Sequence, residues 1–198
     1  MSNPDYQRAI AYSLHRLETE LSPNLFYHSF WHTRDDVMAA AVRLARLNNL
    51  SEEDIRLLEV AAAYHDIGYL NAHVDHELVG IQVASEALPG YGFSRAQVSR
   101  VCNMILATRL PQSPQDLIEA ILADADLDVL GREDFFERSE LLRQEYAALG
   151  QIIPPREWAD SQLRFLQQHA YFTRAAKELR QAVKLANIAS LEARLILS

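Results

Sequence analysis

Apolar residues recur every three to four positions along almost the whole chain, whereas segments that alternate apolar and polar residues are essentially missing. That spacing places apolar side chains on one face of an α-helix. No Ser- or Gly-rich linker divides the sequence. We therefore predict an all-α fold of about eight helices that form a single domain over residues 1–198.

Capping residues predict where several of these helices begin. Asn3 followed by Pro4 is a start signal for the first helix. Ser51 precedes an acidic first turn, and Ser94 has Gln97 three positions later, which is the pattern of a capping box. The other predicted boundaries are starts at Asp75, Ser113 and Thr173 and stops at Gly68 and Gly131.

Two apolar stripes end in residues that commonly bind metal ions. In one predicted helix the stripe continues to His65 and Asp66, three and four positions after Ala62. In another, a step of four leads from Leu122 to Asp126. A carboxylate on a core-facing stripe is costly unless it is paired or binds a cation. Both stripes therefore indicate a buried polar site near the ends of two helices.

A third piece of the pattern is the aromatic segment 27–32, in which His28 and His32 lie four positions apart. Imidazoles from two segments and two inward-facing carboxylates are the donors that a mixed nitrogen and oxygen metal site requires. Taken singly, these residues also fit plainer roles, such as a hydrogen-bonded core histidine or a solvated acidic turn at 124–128.

The order of these residues, with Asp126 inside the segment 123–131 (ADADLDVLG), resembles the H…HD…D signature of the HD-domain superfamily. The similarity extends over about 26–187 and is greatest to the metal-dependent phosphohydrolases of that superfamily. It implies a helical bundle with a signature core at about 26–131, completed by C-terminal helices. The ligands of the divalent ion that the resemblance implies are His32, His65, Asp66 and Asp126.

The resemblance implies hydrolysis of a small phosphorylated compound, either a phosphomonoester or a nucleotide. A divalent ion (Mn, Mg, Fe, Co, Ni or Zn) would activate a water molecule and polarise a phosphoryl oxygen. Two other functions are compatible with the same residues. One is an iron-dependent oxygenase of the HD type, and the other is a non-catalytic sensor that binds a metal or a nucleotide.

We predict a catalytic role for Asp66 and, as proton donors to the leaving oxygen, for His28 and Glu77. Arg109 extends the apolar stripe of its predicted helix by a step of four, so we expect it to point inward and bind phosphate. Several relatives carry His there, and Arg109 weighs against a second histidine-rich metal site. Lys184 is a further substrate-binding candidate. Each of these four residues also fits a purely structural role. These roles are packing for His28, a charge in the first helical turn for Glu77, an ion pair with an internal Asp for Arg109 and a position on a solvated helix face for Lys184.

Composition narrows the classes of partner. Nineteen basic and 27 acidic residues give a formal net charge of -8, which disfavours a large nucleic-acid-binding surface. Cys102 is the single cysteine, so neither a disulfide framework nor a cysteine-rich zinc site is expected. The first twenty residues have no apolar stretch of signal-peptide type, and no apolar run is long enough to span a bilayer. We expect a cytoplasmic protein with no membrane partner and with a small phosphorylated substrate.

Overall fold

The computed structural model describes residues 3–197, and this part of the chain contains nine α-helices and no strand. The all-α prediction is confirmed. The predicted domain also includes Met1, Ser2 and Ser198, which lie outside the described residues. The helices are α1 (Tyr6–Glu20), α2 (Met38–Leu47), α3 (Glu52–Tyr64), α4 (His76–Ala87), α5 (Arg95–Thr108), α6 (Leu117–Asp126), α7 (Phe135–Ala148), α8 (Pro155–Gln168) and α9 (Arg174–Leu197).

The helix starts predicted from serine caps at Ser51 and Ser94 are confirmed. The Ser51 hydroxyl accepts a hydrogen bond from the backbone N–H of Asp54 at 3.1 Å. Ser94 and Gln97 form the predicted capping box at the start of α5. In both cases the side-chain acceptor replaces the intrahelical partner that the first turn of a helix lacks.

Two other predicted starts are wrong, and a carboxylate further along the chain is the reason in each case. Helix α1 is capped by Asp5, not Asn3, and α6 is capped by Asp116, not Ser113. The Asp116 carboxylate accepts from the backbone N–H of Glu119 at 2.9 Å. An anionic acceptor at the positive end of a helix is favoured over the neutral side chains upstream.

Gly68 does not end α3 as predicted, because that helix already stops at Tyr64. Gly68 instead lies in a 3₁₀ turn, Ile67–Leu70, that packs against the start of α4. A Cβ atom at Gly68 would lie 1.9 Å from the carbonyl oxygen of His76. Glycine at this position therefore permits the close approach that brings α4 to the end of α3.

Two groups of buried apolar residues form the core. The larger group joins α1, α2, α3, α5 and α6, and a smaller one joins α7, α8 and α9 to the segment before α2. Members of the smaller group are Tyr27, Val129, Leu130, Phe135, Leu166 and Leu191. Within residues 3–197, no helix combines the length and hydropathy needed to cross a membrane.

Candidate metal centre and its cavity

The four predicted metal ligands lie at the ends of three helical segments. His32 begins a π-helical stretch, His32–Val37, that continues into α2. His65 and Asp66 directly follow the last residue of α3, and Asp126 is the last residue of α6. The free carbonyl groups at a helix C-terminus favour positive charge. The carbonyl groups at the ends of α3 and α6 therefore favour a cation at the same place as the side chains of His65, Asp66 and Asp126 do.

Three buried side-chain atoms converge at this point: Nε2 of His32, Nε2 of His65 and Oδ2 of Asp66. They lie within 4.8 Å of one another, and none has a hydrogen-bond partner in the described part of the chain. An unsatisfied buried polar atom is costly, and three in one place require a common partner. Imidazole nitrogen and carboxylate oxygen are suitable donors for a divalent ion. This cluster therefore fits a bound metal.

Asp126 contributes a second carboxylate to the same point. Its Oδ1 lies 3.6 Å from Nε2 of His32 and 3.4 Å from Nε2 of His65. The structure thus brings all four predicted ligands together, although they come from separate parts of the sequence. Two imidazoles and two carboxylates match the mixed donor set expected from the sequence.

Hydrogen bonds on the far side of the rings fix how the histidines face the cluster. Nδ1 of His65 donates to the carbonyl oxygen of Ala62 at 2.7 Å. A carbonyl can only accept, so Nδ1 carries the proton and Nε2 presents its lone pair to the cluster when the ring is neutral. Nδ1 of His32 lies 3.8 Å from a carboxylate oxygen of Asp36. Such outer partners orient metal-binding histidines.

The electrostatics of the cluster call for positive charge at its centre. Burial disfavours the charged form of His65, but the carboxylates of Asp66 and Asp126 outweigh burial and hold its pKa well above the ordinary value. The pKa of His32 is raised by the same balance. Burial alone would raise the pKa of Asp126, but the adjacent imidazoles of His32 and His65 lower it to about 2. The carboxylates are therefore anionic, and a divalent ion can replace the positive charge that the protonated imidazoles otherwise supply.

The two acidic residues that flank Asp126 hold the C-terminal helix. Asp124 is fully buried and accepts from the backbone N–H groups of Phe172 and Thr173, each at 2.8 Å, at the start of α9. Asp128 accepts from Nε and Nη2 of Arg180, each at 2.7 Å. The acidic segment is therefore a structural junction between the metal cluster and α9, not a solvated turn.

His28 is held between two residues that the sequence analysis missed. Its Nδ1 lies 2.5 Å from Oε1 of Glu145, and its Nε2 lies 3.1 Å from the Tyr69 hydroxyl. The other oxygen of Glu145 accepts from the backbone N–H groups of Tyr27 and His28. Burial opposes the ionised form of Glu145, but these hydrogen bonds outweigh it and lower its pKa. His28 thus has a fixed orientation and an anionic partner.

His76 and Glu77, at the start of α4, also reach the site. Nε2 of His76 lies 3.4 Å from Oδ1 of Asp66, the carboxylate oxygen that faces away from His32 and His65. Nδ1 of His76 lies 3.6 Å from a carboxylate oxygen of Glu77. His76 therefore lies beside a predicted ligand.

Arg109 does not point inward, so its predicted orientation is wrong. Helix α5 ends at Thr108, and the apolar stripe cannot be extended past that end. The Arg109 guanidinium instead lies 2.5 Å from the Asp75 carboxylate, and both side chains are almost half exposed. Asp75 occupies the predicted N-cap position of α4, but its side chain makes no capping hydrogen bond.

Lys184 is buried, not on the solvated helix face that was the plainer expectation. Its ammonium donates to the carbonyl oxygen of His169 and lies 5.7 Å from the centre of the Tyr171 ring. Burial lowers the pKa of Lys184. Neither Lys184 nor Arg109 lines the cavity beside the metal cluster, and their substrate-binding roles stay predictions.

A cavity of about 470 Å³ opens directly onto the cluster. Asp66 and Asp126 line one end of it, together with His28, His76 and Glu77. The remaining wall is formed largely by side chains from residues 127–165, in α7, α8 and the segments beside them. This volume lies within the range of about 300–1,000 Å³ usual for small-molecule sites. The cluster therefore has an adjoining space large enough for a substrate.

The chain resembles known proteins in sequence and in fold. Residues 32–128 match the family model of the HD domain, a segment that begins at His32 and includes His65, Asp66 and Asp126. The fold is similar to the crystal structure of a protein from an uncultured Thermotogales bacterium, described as a predicted HD superfamily hydrolase. That similarity has a TM-score of 0.62 at 22% identity and covers 98% of this chain and 92% of the other. No curated protein matches the chain.

Proposed function

The chain belongs to the HD-domain superfamily, and on that premise we propose that it is a metal-dependent phosphohydrolase that acts on a small phosphorylated compound. The observation that carries this proposal is the convergence of Nε2 of His32, Nε2 of His65 and Oδ2 of Asp66 beside a cavity of about 470 Å³. None of the three atoms has a hydrogen-bond partner among residues 3–197. A buried donor cluster that opens onto a substrate-sized space suits a reaction assisted by a metal ion.

His32, His65, Asp66 and Asp126 would hold the ion. The donor set of two imidazoles and two carboxylates suits a first-row transition ion. The alternative is Mg, a harder Lewis acid that prefers oxygen donors. When bound, a divalent ion supplies a Lewis acid for a phosphoryl oxygen and lowers the pKa of water. The carboxylates of Asp66 and Asp126 would also orient the attacking water by accepting its hydrogen bonds.

His28 is the proton donor to the leaving oxygen in this proposal. It lines the same cavity as Asp66 and Asp126, and its Nδ1 is held by Glu145 at 2.5 Å. An anionic partner stabilises the imidazolium that must be present before the proton is transferred. Glu145 is a positioning residue because it acts through His28 and does not line the cavity.

Glu77 is the second candidate for proton transfer. It is buried in the first turn of α4, lines the cavity and lies 3.6 Å from Nδ1 of His76. It lines the same cavity as Asp66 and Asp126, so it could donate a proton to the leaving oxygen of a substrate bound there. The first-turn position that the sequence indicated is thus compatible with a role in the site.

The test combines metal analysis with a screen of phosphoesters. We expect wild-type protein purified without chelators to contain a divalent ion and to hydrolyse at least one phosphomonoester. Asp66→Asn should lose both properties, because it removes the anionic oxygen that faces His32 and His65. Glu86→Gln is the matched control, since it neutralises an exposed carboxylate on α4 and should retain both.

Three results would contradict the proposal. Equal metal content in wild-type protein and Asp66→Asn would place the ion elsewhere. Bound iron with substrate-dependent consumption of oxygen would identify the oxygenase. Bound metal with no turnover of any phosphoester would identify the sensor.

A further inference from the structure

We propose that the substrate is a phosphomonoester whose other part is apolar, an alkyl or aromatic group, and not a nucleotide. This inference rests on the proposed phosphohydrolase function and adds the substrate class. It depends on the wall of the cavity and the number of cationic groups there.

The part of the cavity beyond the metal cluster has a predominantly apolar wall. The reacting phosphoryl group must lie beside Asp66 and Asp126, so the rest of the substrate extends toward residues 127–165. This region is formed by large apolar side chains from three successive segments. Examples are Leu127, Val129, Phe135, Leu142, Trp158 and Phe165. An apolar substituent buried against them would be stabilised roughly in proportion to its area.

Several polar groups in this wall are already bonded within the protein. The Trp158 indole N–H donates to the Ser139 hydroxyl at 3.0 Å, and that hydroxyl lies 3.3 Å from Gln162 Oε1. The Ser161 hydroxyl donates to the carbonyl oxygen of Trp158 at 2.7 Å. Sugar hydroxyls or the polar edge of a base would therefore lose hydrogen bonds to water without finding equal replacements. This disfavours a nucleoside.

The cavity also offers few cationic groups. Among the described residues that line it, Arg138 is the one Arg or Lys. Its guanidinium donates to Asp36 and lies 5.5 Å from the centre of the Tyr27 ring. A di- or triphosphate requires several positive groups, since each phosphoryl group adds charge. One guanidinium, the imidazoles of His28 and His76 and the metal site suit a single phosphoryl group.

A series of alkyl phosphates from methyl to octyl tests the apolar wall. We expect kcat/KM to rise about fourfold for each added methylene, until the cavity is filled, because each buried methylene adds a similar increment of transfer free energy. Nucleoside monophosphates should be poorer substrates than hexyl phosphate. Ile153 lines the cavity from the loop before α8, whereas its neighbour Ile152 is 84% exposed. Ile153→Asn should therefore flatten the chain-length dependence, and Ile152→Asn should preserve it.

A binding measurement provides a readout that needs no turnover. Trp158 lines the cavity, and the other tryptophan, Trp31, is 59% exposed. In a Trp31→Phe variant, alkylphosphonates should alter the fluorescence of Trp158, and Kd should fall about fourfold for each methylene. Ile153→Asn in the same background should weaken this trend.

The two measurements separate failure of this inference from failure of the proposed function. Hydrolysis of methyl phosphate with no chain-length dependence in rate or binding would overturn the apolar substrate and leave the phosphohydrolase intact. A nucleoside monophosphate that exceeds every alkyl phosphate would do the same. Failure to hydrolyse any phosphoester, with chain-length-dependent binding of phosphonates, would overturn the reaction and retain the apolar site.

Discussion

Nε2 of His65 lies 3.2 Å from Oδ2 of the next residue, Asp66, yet neither atom makes a hydrogen bond within the described residues. The proton of a neutral His65 ring is on Nδ1, which donates to Ala62. In that neutral form a lone pair and a carboxylate oxygen face each other in a buried space, and the raised pKa of His65 shows that the site favours positive charge there. A cation between them would remove this repulsion, and the bound ion therefore contributes to stability as well as to chemistry.

Chelation should lower the melting temperature of the protein. Removal of the ion leaves the Asp66 and Asp126 carboxylates close together with less compensating charge. Adding metal back at about 100 times its Kd should restore about 2.7 kcal/mol of stability by mass action. Differential scanning calorimetry before and after dialysis against chelator measures the change. Asp66→Asn is the control, because its melting curve should no longer respond to metal. An unchanged wild-type curve in chelator would count against the metal centre.

Glu145→Gln should lower kcat by about 10- to 100-fold, because a neutral amide stabilises the His28 imidazolium less than a carboxylate does. Metal content should be unchanged, since Glu145 is not among the predicted ligands. Steady-state kinetics and elemental analysis on the same preparation test both statements. Glu140→Gln is the matched control on α7, because Glu140 pairs with Arg143 outside the cavity. Equal kcat values in the two variants would show that the Glu145 carboxylate does not assist His28 in the reaction.

Arg180→Met should reduce the free energy of unfolding by about 1–3 kcal/mol. The substitution removes two hydrogen bonds to the buried Asp128 carboxylate and leaves it with Arg43 at 3.0 Å. Arg174→Met is the comparison on the same helix. The Arg174 side chain is 89% exposed and pairs with Glu178 one turn away, so its loss should cost much less than the loss of Arg180. Urea denaturation of both variants gives the difference, and equal losses would show that Asp128 does not depend on α9.

Stability should fall as the pH is lowered from about 6.5 toward 4, with His169 contributing. Burial, together with the charge of Lys184, lowers the pKa of His169 to about 4. In the unfolded chain a histidine has a pKa of about 6.5, so the unfolded state binds more protons between these values. The contribution is fully present above about pH 6.5 and is at most about 3 kcal/mol. His169→Gln should show a shallower pH dependence of unfolding free energy. Parallel curves for wild type and variant would contradict this assignment.

Local patterns in the sequence predicted the parts of the site that lie on helices. His65 and Asp66 extend the apolar stripe of α3, and Asp126 extends that of α6. A side chain that follows a stripe at helical spacing faces the same interior. The placement of His32 and the grouping of all four residues came instead from the resemblance, because spacing within one helix says nothing about which helices meet.

Other parts of the site depend on contacts that no local pattern encodes. Glu145 reaches His28 from a position 117 residues later in the chain. Its surroundings in α7 resemble an ordinary polar helix face. The predicted inward orientation of Arg109 was wrong for a different reason. The apolar stripe was extended one residue past the end of α5, and beyond that end helical spacing no longer determines which way a side chain points. The segment of Asp124 and Asp128 resembled a solvated turn in the sequence. Both carboxylates are bonded at α9, which lies about 50 residues later in the chain, and no local pattern indicates this contact.

The cavity wall and the metal cluster come from different stretches of the chain. All four predicted ligands lie within residues 32–128, the segment that matches the HD domain, whereas much of the apolar wall comes after residue 128. Substitutions in α7 and α8 can therefore reshape the pocket without altering a ligand. The same separation suggests a way to engineer the protein. The four predicted ligands would be kept, and the segment after residue 128 would be exchanged so that the cavity accepts a different compound.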